Sequence, residues 1–421
     1  MSSIVLEASA RRPAPHGDRS SVVRWATGVA AAMNLGLGLG LGQPWLALGG
    51  VLGLGFVGLH WRHPASLGDP AAKGPAEGPP PRRPRGIGPS TADPTDIDAL
   101  VEEMLAQGRY ALLLRPQIAA SLSQEQFQRA LAALEEDMAL VPDGDVFLGP
   151  IDDAAEDGRL DETALAEGPG RILQVQRFFL DRYPVTNAQY EAFVAAGGYE
   201  QPALWDPSIL PAVLDFVDQT GRPGPRYWHN GTFPPGREDH PVVGVNWYEA
   251  SAYARWVGKR LPTDAEWVKA ASWPVRLSAT TRLQRRYPWG DTMDRTKANV
   301  WGSGPGDTVP VQQFAAGVSV GGVYQLVGNV WEWMWGNYLP PDGSEDTWAA
   351  EVGLKGLRGG AFDTYFDNQA TCQFQSGDAA VARKPNIGFR LAIGACDVVL
   401  AWPGADAVAL SAEPCPSEVQ P

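Results

Sequence analysis

The fold is decided by the stretch Gly328-Asn329-Val330-Trp331-Glu332-Trp333. The alternate spacing of Trp331 and Trp333 predicts a strand that carries both indole rings on one face and Glu332 on the other. The Glu332 carboxylate, beside the Asn329 amide and nearby carbonyl groups, suits a hard cation such as calcium. The alternative is an ion pair between Glu332 and an arginine, either Arg358 or Arg390. The stretch is therefore either a ligand site or a structural centre of the fold.

Composition and charge limit the class of function. The chain has 421 residues and a net charge of −14, and no basic stripe follows residue 100, which argues against a nucleic-acid partner. Its 16 tryptophans, 48 glycines and 37 prolines indicate a loop-rich fold in which aromatic rings supply much of the burial. The three cysteines, Cys372, Cys396 and Cys415, do not form a disulfide framework, so we expect a reducing compartment.

The N-terminal part carries a membrane signal at residues 25–60. No charged residue occurs from Trp25 to Leu59, and one helix of that length would measure roughly 50 Å against a hydrocarbon core of about 30 Å. Gly42-Gln43-Pro44 is a turn signal near the middle, so the sequence favours a transmembrane helical hairpin. The rival is a single tilted span with the globular part exported.

Basic residues flank this segment on both sides, which a hairpin with two cytoplasmic ends accommodates. We therefore expect the lipid bilayer as a partner, the inner (cytoplasmic) membrane as the location, and a globular domain in the cytoplasm. The predicted organisation, in chain order, is a basic tail (1–24), the membrane segment (25–60), a Pro/Gly/Arg-rich linker (64–95), a helical preface (96–140), one large domain (141–395) and a C-terminal tail (396–421).

Local patterns predict several elements outside the opening stretch. Residues 96–107 and 123–140 read as helices, the second opened by a capping box of Ser123 and Gln126. Within the large domain we expect strands at 141–150 and after Phe178, followed by helices at 188–195, at 248–258 and after Thr263, which has Glu266 at capping-box distance.

Seven sequence blocks occur in order along the large domain, at residues 179–190, 240–250, 259–267, 287–291, 328–333, 357–360 and 388–391. They read FLDRYPVTNAQY, HPVVGVNWYEA, KRLPTDAEW, YPWGD, GNVWEW, LRGG and GFRL. Together they resemble the formylglycine-generating-enzyme, or sulfatase-modifying factor, domain family. The resemblance implies an irregular α+β fold related to C-type lectins. It also implies calcium near the GNVWEW block, with Asn299, the Val300 carbonyl, Asn329 and Glu332 as the candidate ligands of a structural site.

The resemblance also indicates where the metal-binding residues of the family's enzymes would lie in this chain. The formylglycine-making enzymes place two copper-binding cysteines shortly after the Arg-Gly-Gly block, and Thr364 and Gln369 occupy those positions here. Soft thiolates are what Cu(I) needs. An iron-dependent branch, the sulfoxide synthases, uses histidines, but only His229 and His240 lie in the globular part and no carboxylate accompanies them in a ligand pattern. We therefore expect neither copper nor iron.

A third branch comprises variable display proteins of diversity-generating retroelements. In these proteins the interval between the Arg-Gly-Gly and Gly-Phe-Arg blocks carries the binding surface. The corresponding interval, residues 361–387, offers Tyr365, Phe366, Asn368 and Phe374 as partner-binding candidates, because aromatic rings give rigid contact area and amides give adaptable hydrogen bonds.

These observations lead to one hypothesis with two alternatives. The hypothesis is a membrane-anchored, catalytically silent domain of this family that acts as an accessory or scaffolding subunit of an integral-membrane protein complex. The first alternative is a metal-dependent, oxygen-using enzyme with non-haem iron or copper. The second is a ligand-binding display protein of a diversity-generating retroelement.

Overall fold

A computed structural model of the protein describes residues 77–84, 96–149, 158–161, 170–338 and 353–403. The chain divides into two compact units, Met1–Gly74 and Pro75–Pro421, and every described residue lies in the second. The predicted transmembrane hairpin at 25–60 lies outside the described residues. Among the helices that are described, none has the length and apolarity needed to cross a bilayer.

Four helices open the main body of the domain: α1 (Ile97–Ala106), α2 (Tyr110–Leu113), α3 (Pro116–Ala119) and α4 (Gln124–Asp137). The predicted capping box of α4 is confirmed, since Ser123 and Gln126 exchange side-chain and backbone hydrogen bonds. The predicted end of this helix at Leu140 is wrong. The helix ends at Asp137 and the chain turns directly into a strand, where Met138 and Val141 are buried against the neighbouring strand.

Twelve short strands follow along the described chain. They are β1 (Met138–Val141), β2 (Gly144–Leu148), β3 (Arg159–Asp161), β4 (Arg171–Val175), β5 (Phe178–Asp181), β6 (Val275–Arg276), β7 (Thr281–Leu283), β8 (Trp331–Asn337), β9 (Leu354–Arg358), β10 (Gln375–Ala379), β11 (Ile387–Gly388) and β12 (Ala392–Gly394). Two of the sheets are small, with the orders β2-β4 and β3-β7-β6.

The antiparallel sheet β1-β5-β12 joins the helical layer to the rest of the domain. Phe179 on the central strand packs with the helices α1–α4, while its neighbour Leu180 faces the opposite side. Both faces of this sheet are therefore buried. Successive side chains of a strand point to opposite faces, so the consecutive apolar residues of the central strand need cover on both sides.

The second sheet has the order β10-β9-β8-β11 and contains the opening stretch. Strand β8 pairs antiparallel with β9, with an irregularity between Trp333 and Asn337, and β11 runs parallel to β8. The predicted alternation is confirmed: Trp331 and Trp333 pack against one apolar cluster, and Glu332 points to the other side, where Trp267 lies.

Three further helices support this sheet: α5 (Asn187–Ala195), α6 (Trp247–Val257) and α7 (Asp264–Ser272). Each begins with a capping box, formed by Thr186, Asn246 and Thr263 with the residue three positions later. Between these elements the backbone is largely irregular, with seven short 3-10 segments. The expected α+β fold with little regular structure is therefore what the described residues form.

Two features differ from the sequence expectations. Residues 77–84, within the predicted linker, are docked on the domain surface, and we call this segment the strap. Cys396 is disulfide-bonded, whereas Cys372 is buried and free. The disulfide at Cys396 differs from the sequence interpretation, in which the three cysteines form no disulfide framework. Burial raises the pKa of the Cys372 thiol well above its usual range, so this cysteine is an inert core residue.

Candidate functional site

Glu332, at the centre of the opening stretch, forms a buried ion pair with Arg390. The Arg390 side chain donates from Nε and Nη2 to both carboxylate oxygens at 2.7 to 2.9 Å, and the Trp267 indole donates to Oε2 at 2.7 Å. Arg358 pairs instead with Asp264, at 2.9 Å. Of the alternatives weighed from the sequence, the pairing of Glu332 with Arg390 is the one observed.

The four calcium candidates do not make a calcium site. Both Glu332 oxygens are engaged as described, and Asn329 Oδ1 accepts from the Val309 N–H and from Asn299 Nδ2 at 2.9 and 3.1 Å. The Val300 carbonyl accepts from Ser303 Oγ at 2.9 Å. Calcium takes about six to eight oxygen ligands, and within the described residues only Asn299 Oδ1 of this set is buried without a hydrogen-bond partner. The donor set therefore does not fit calcium, and binding there stays a prediction without structural support.

The two positions that match the family's cysteines lie in one loop after β9. Gly359 and Gly360 both adopt positive φ, at 98° and 74°, and a Cβ on Gly359 would lie 2.8 Å from the Leu326 carbonyl oxygen. This explains why the block needs two glycines. Behind them, the buried Thr364 hydroxyl accepts from the Ala361 N–H at 2.8 Å, and Gln369 ends the 3-10 segment Asp367–Gln369. A hydroxyl and an amide are hard donors, so these residues do not fit Cu(I).

The two histidines are also poorly placed for iron. His240 Nδ1 lies 3.0 Å from Thr308 Oγ1 and 3.1 Å from Arg237 Nη1. Burial, reinforced by the Arg237 charge, lowers the pKa of His240 to about 4. His229 is exposed and its backbone bridges Thr232. Across the described parts of the chain, no group of three or more His, Cys, Asp or Glu side chains could hold a metal ion.

The interval after the Arg-Gly-Gly block presents an aromatic surface. Tyr365 and Phe366 are 52% and 58% exposed, and their rings meet edge to face at 5.1 Å between centroids. Trp301 lies against Tyr365 at 6.2 Å. Asn368 is exposed one turn further on. The structure therefore brings three of the four partner-binding candidates together.

Phe374, the fourth candidate, belongs to a separate pair with Trp331, at 6.0 Å between ring centroids. The link between the two pairs is Asn386, whose carbonyl accepts from the Trp331 N–H at 2.8 Å and whose Nδ2 donates to Asp363 at 3.0 Å. We call Trp301, Asp363, Tyr365, Phe366, Asn368, Trp331, Phe374 and Asn386 the aromatic face.

Several polar atoms at this face lack partners. Both side-chain amide atoms of Gln373, next to Phe374, and Oδ1 of Asn386 are buried without a hydrogen bond within the described residues. Such atoms cost about 1–3 kcal/mol each unless water or a ligand satisfies them. Sequence reasoning missed the half-buried Asn386, Trp301 and Trp331 as members of this face, because their positions depend on contacts between blocks that are far apart in the chain.

Comparisons with known proteins identify the family of this chain. The profile of the sulfatase-modifying factor enzyme 1-like domain matches residues 123–395. The hercynine oxygenase of Mycolicibacterium smegmatis is 36% identical over 203 residues, which are 46% of this chain and 44% of that protein. The formylglycine-generating enzyme of Thermomonospora curvata is 35% identical over 239 residues, 49% of this chain and 73% of that enzyme.

A solved structure, PvdO from Pseudomonas aeruginosa, aligns with 61% of this chain and 93% of its own length, at 24% identity and a TM-score of 0.40. This chain spans less than half of the hercynine oxygenase that it matches, whereas the family profile covers most of the described domain. The protein belongs to the formylglycine-generating-enzyme, or sulfatase-modifying factor, domain family.

Proposed function

We propose that this protein is a binding member of its family, which uses the aromatic face to hold a segment of another protein. The observation that carries the proposal is the exposure of Tyr365 and Phe366 beside Thr364, at the site where the family's enzymes place a metal-binding cysteine. Exposed aromatic rings that meet edge to face are typical anchors of protein interfaces. The site therefore offers contact area where a thiolate would otherwise supply chemistry.

The polar part of the face supports the same function. The exposed Asp363 carboxylate, which accepts from Asn386 Nδ2 at 3.0 Å, offers acceptor oxygens to the N–H groups of a bound peptide. Asp363 and Asp367 add negative charge at the surface, although Asp367 is paired with Arg295 at 2.5 Å. We expect the bound segment to carry apolar and basic side chains, because cations stack well on exposed aromatic rings.

The accessory role on a membrane complex is part of the proposal. It depends on the anchor predicted at residues 25–60, which lie outside the described residues. Alkaline carbonate extraction of membranes tests this part separately. A chain that stays in the pellet supports the anchor, and a chain that is released with peripheral proteins rejects it.

Site-specific photocrosslinking tests the binding face itself. A photoreactive amino acid replaces Phe366 in the full chain, and a control chain carries it at Leu214, which is 84% exposed in the 3-10 segment Leu210–Asp215. We expect a discrete protein partner to crosslink at position 366 and not at 214, and Tyr365→Ala to reduce its yield. Equal crosslinks at both positions would reject the aromatic face as the binding site.

The second candidate function is metal-dependent oxygen chemistry. The names of the relatives favour it, since a hercynine oxygenase and a formylglycine-generating enzyme are among them. The described residues do not supply a ligand set, so the ligands would have to come from other parts of the chain or from a partner. Metal analysis of the purified full chain, with oxygen uptake measured in the presence of a thiol, separates the two functions. Stoichiometric iron or copper with metal-dependent oxygen uptake would overturn the binding role.

The role as a ligand-binding display protein stays a prediction from the sequence.

A further inference from the structure

The strap (residues 77–84) lies on the folded domain and is held by residues that do not belong to the aromatic face. Its sequence is Glu77-Gly78-Pro79-Pro80-Pro81-Arg82-Arg83-Pro84. At its start, the Gly78 N–H donates to the Gln312 carbonyl at 2.6 Å, and Glu77 forms a bridge with Gln313. Gly78 also lies against the Tyr324 ring, where a Cβ would come within 2.4 Å. The strap therefore has one fixed entry point on the domain.

The proline run meets a pair of tyrosines. The Tyr183 hydroxyl donates to the Pro79 carbonyl at 2.7 Å, and the Tyr183 and Tyr324 rings lie 4.8 Å apart. Pro81 is buried in the groove. Proline has no backbone N–H, so a receptor can form hydrogen bonds with it only by donating to its carbonyl oxygen.

The C-terminal end of the strap is held by an ion pair between Arg83 and Asp239. Arg83 Nε donates to Asp239 Oδ1 at 2.7 Å, and Arg83 Nη2 pairs with Asp239 Oδ2 to complete a bidentate contact. Gln189 Nε2 donates to the Arg82 carbonyl at 3.3 Å. Bidentate arginine–carboxylate pairs are stronger and more directional than single contacts, so Asp239 fixes the direction in which the strap runs.

A small cavity of about 40 Å³ lies beneath the strap. Asp137, Asp181 and Lys259 line it together with Pro81 and Arg82. Lys259 contacts Asp181 at 2.8 Å. The floor of the groove is therefore polar, and the Asp137 carboxylate attracts Arg82 of the strap.

We propose that Tyr183, Tyr324, Gln189 and Asp239 form a recognition groove for proline-rich, arginine-bearing segments, and that the strap occupies it in cis. Aromatic rings that pack prolines, side chains that donate to proline carbonyls and an acid that fixes an arginine are the features by which proline-rich helices are recognised. The strap contributes no large apolar side chain to the core, so its contacts serve recognition of the segment.

Occupation in cis controls access to the groove. A tethered segment acts at an effective concentration of about a millimolar, so a proline-rich segment from another chain must compete with the strap. Weakening the strap should open the groove without altering the groove residues. Recognition by the groove can therefore be measured separately from its occupation by the strap.

The test uses the full chain and a labelled peptide with the sequence of residues 76–85. We compare peptide binding by fluorescence anisotropy in the natural chain and in a chain carrying Pro81→Ser and Arg83→Ala. We expect the strap variant to bind the peptide about tenfold more tightly or better, because the internal competitor is weakened. Addition of Asp239→Asn to the strap variant should reverse this gain.

Two controls make the result specific. Asp145→Asn, in the strap variant, removes a carboxylate that pairs with Arg276 and Arg282 away from the groove and should leave peptide binding unchanged. A peptide with alanine at the position of Arg83 should bind about tenfold more weakly. Equal peptide binding by the natural chain and the strap variant, or equal effects of Asp239→Asn and Asp145→Asn, would overturn the proposal. Circular dichroism of each variant checks that the chain is folded.

Discussion

Glu332 and Arg390 form a charge pair that is almost completely removed from solvent, with side chains 1% and 0% exposed. Removing one charge leaves the other buried without compensation, which typically destabilises a protein by about 3–5 kcal/mol. We predict a loss of this size for Glu332→Gln in urea unfolding. The control is Glu102→Gln, which breaks a surface pair with Arg129 and should reduce stability by less than about 1 kcal/mol.

The Glu332→Gln variant also tests calcium binding. Since Arg390 and Trp267 engage the Glu332 oxygens, we predict that EDTA leaves the melting temperature of the natural chain unchanged. A melting temperature that rises with added calcium in the natural chain, and not in Glu332→Gln, would contradict this reading of the site.

For a single residue such as Glu332, the sequence predicts the kind of interaction better than the residue that provides it. The sequence indicates that Glu332 needs an arginine or a cation, because its neighbours are apolar. It does not say which arginine, since Arg358 stands opposite Glu332 in the β8–β9 register and is drawn away by Asp264 at 2.9 Å. Asp264 comes to this position only through the packing of α7, which no local pattern reports.

Helix starts are the elements that the sequence predicted best, because a capping box is a local interaction. Ser123 accepts from the Gln126 N–H at 3.2 Å, and Gln126 Oε1 accepts from the Ser123 N–H at 2.9 Å. We predict that Ser123→Ala destabilises the protein by about 1 kcal/mol. Ser121→Ala, two residues earlier and outside the helix, should change stability by less than about 0.5 kcal/mol. Equal losses in urea unfolding would contradict a specific role of the cap.

Strand boundaries were predicted less well, because strands depend on distant partners. Residues 138–141 continue the helical pattern of α4, yet they pair with β5, some forty residues later. The strap shows the same limit. Its proline-rich composition predicts an extended segment, while the tyrosines and Asp239 that hold it come from separate parts of the chain. The order of the seven blocks indicates the fold, and the contacts among the blocks require the structure.

On the scale of the whole molecule, two titrating groups are expected to oppose each other in the dependence of stability on pH. Burial raises the pKa of Asp137 from 3.8 to about 6, against the opposing charges of Lys259 and Arg82. The folded chain therefore holds this proton more tightly than the unfolded chain. The resulting stabilisation is complete below about pH 4 and is lost as the pH rises to about 6.

His240 acts in the reverse direction. Burial lowers its pKa from 6.5 to about 4, so the folded chain binds this proton more weakly than the unfolded chain. Its contribution to stability is present above about pH 6.5 and is lost as the pH falls to about 4. The Asp137 shift corresponds to at most about 3 kcal/mol and the His240 shift to at most about 3.5 kcal/mol, and solvent screening reduces the His240 value. The two contributions have opposite slopes over nearly the same pH interval.

We therefore predict a nearly flat stability profile for the natural chain from these two groups, and opposite slopes in the single variants. Asp137→Asn leaves His240 acting alone, so the free energy of unfolding should rise between about pH 4 and pH 6.5. His240→Gln leaves Asp137 acting alone, so the free energy should fall over the same interval. Urea unfolding of the three chains across this interval measures both slopes. Parallel profiles would contradict the assignment, because they would mean that neither group titrates differently in the folded chain.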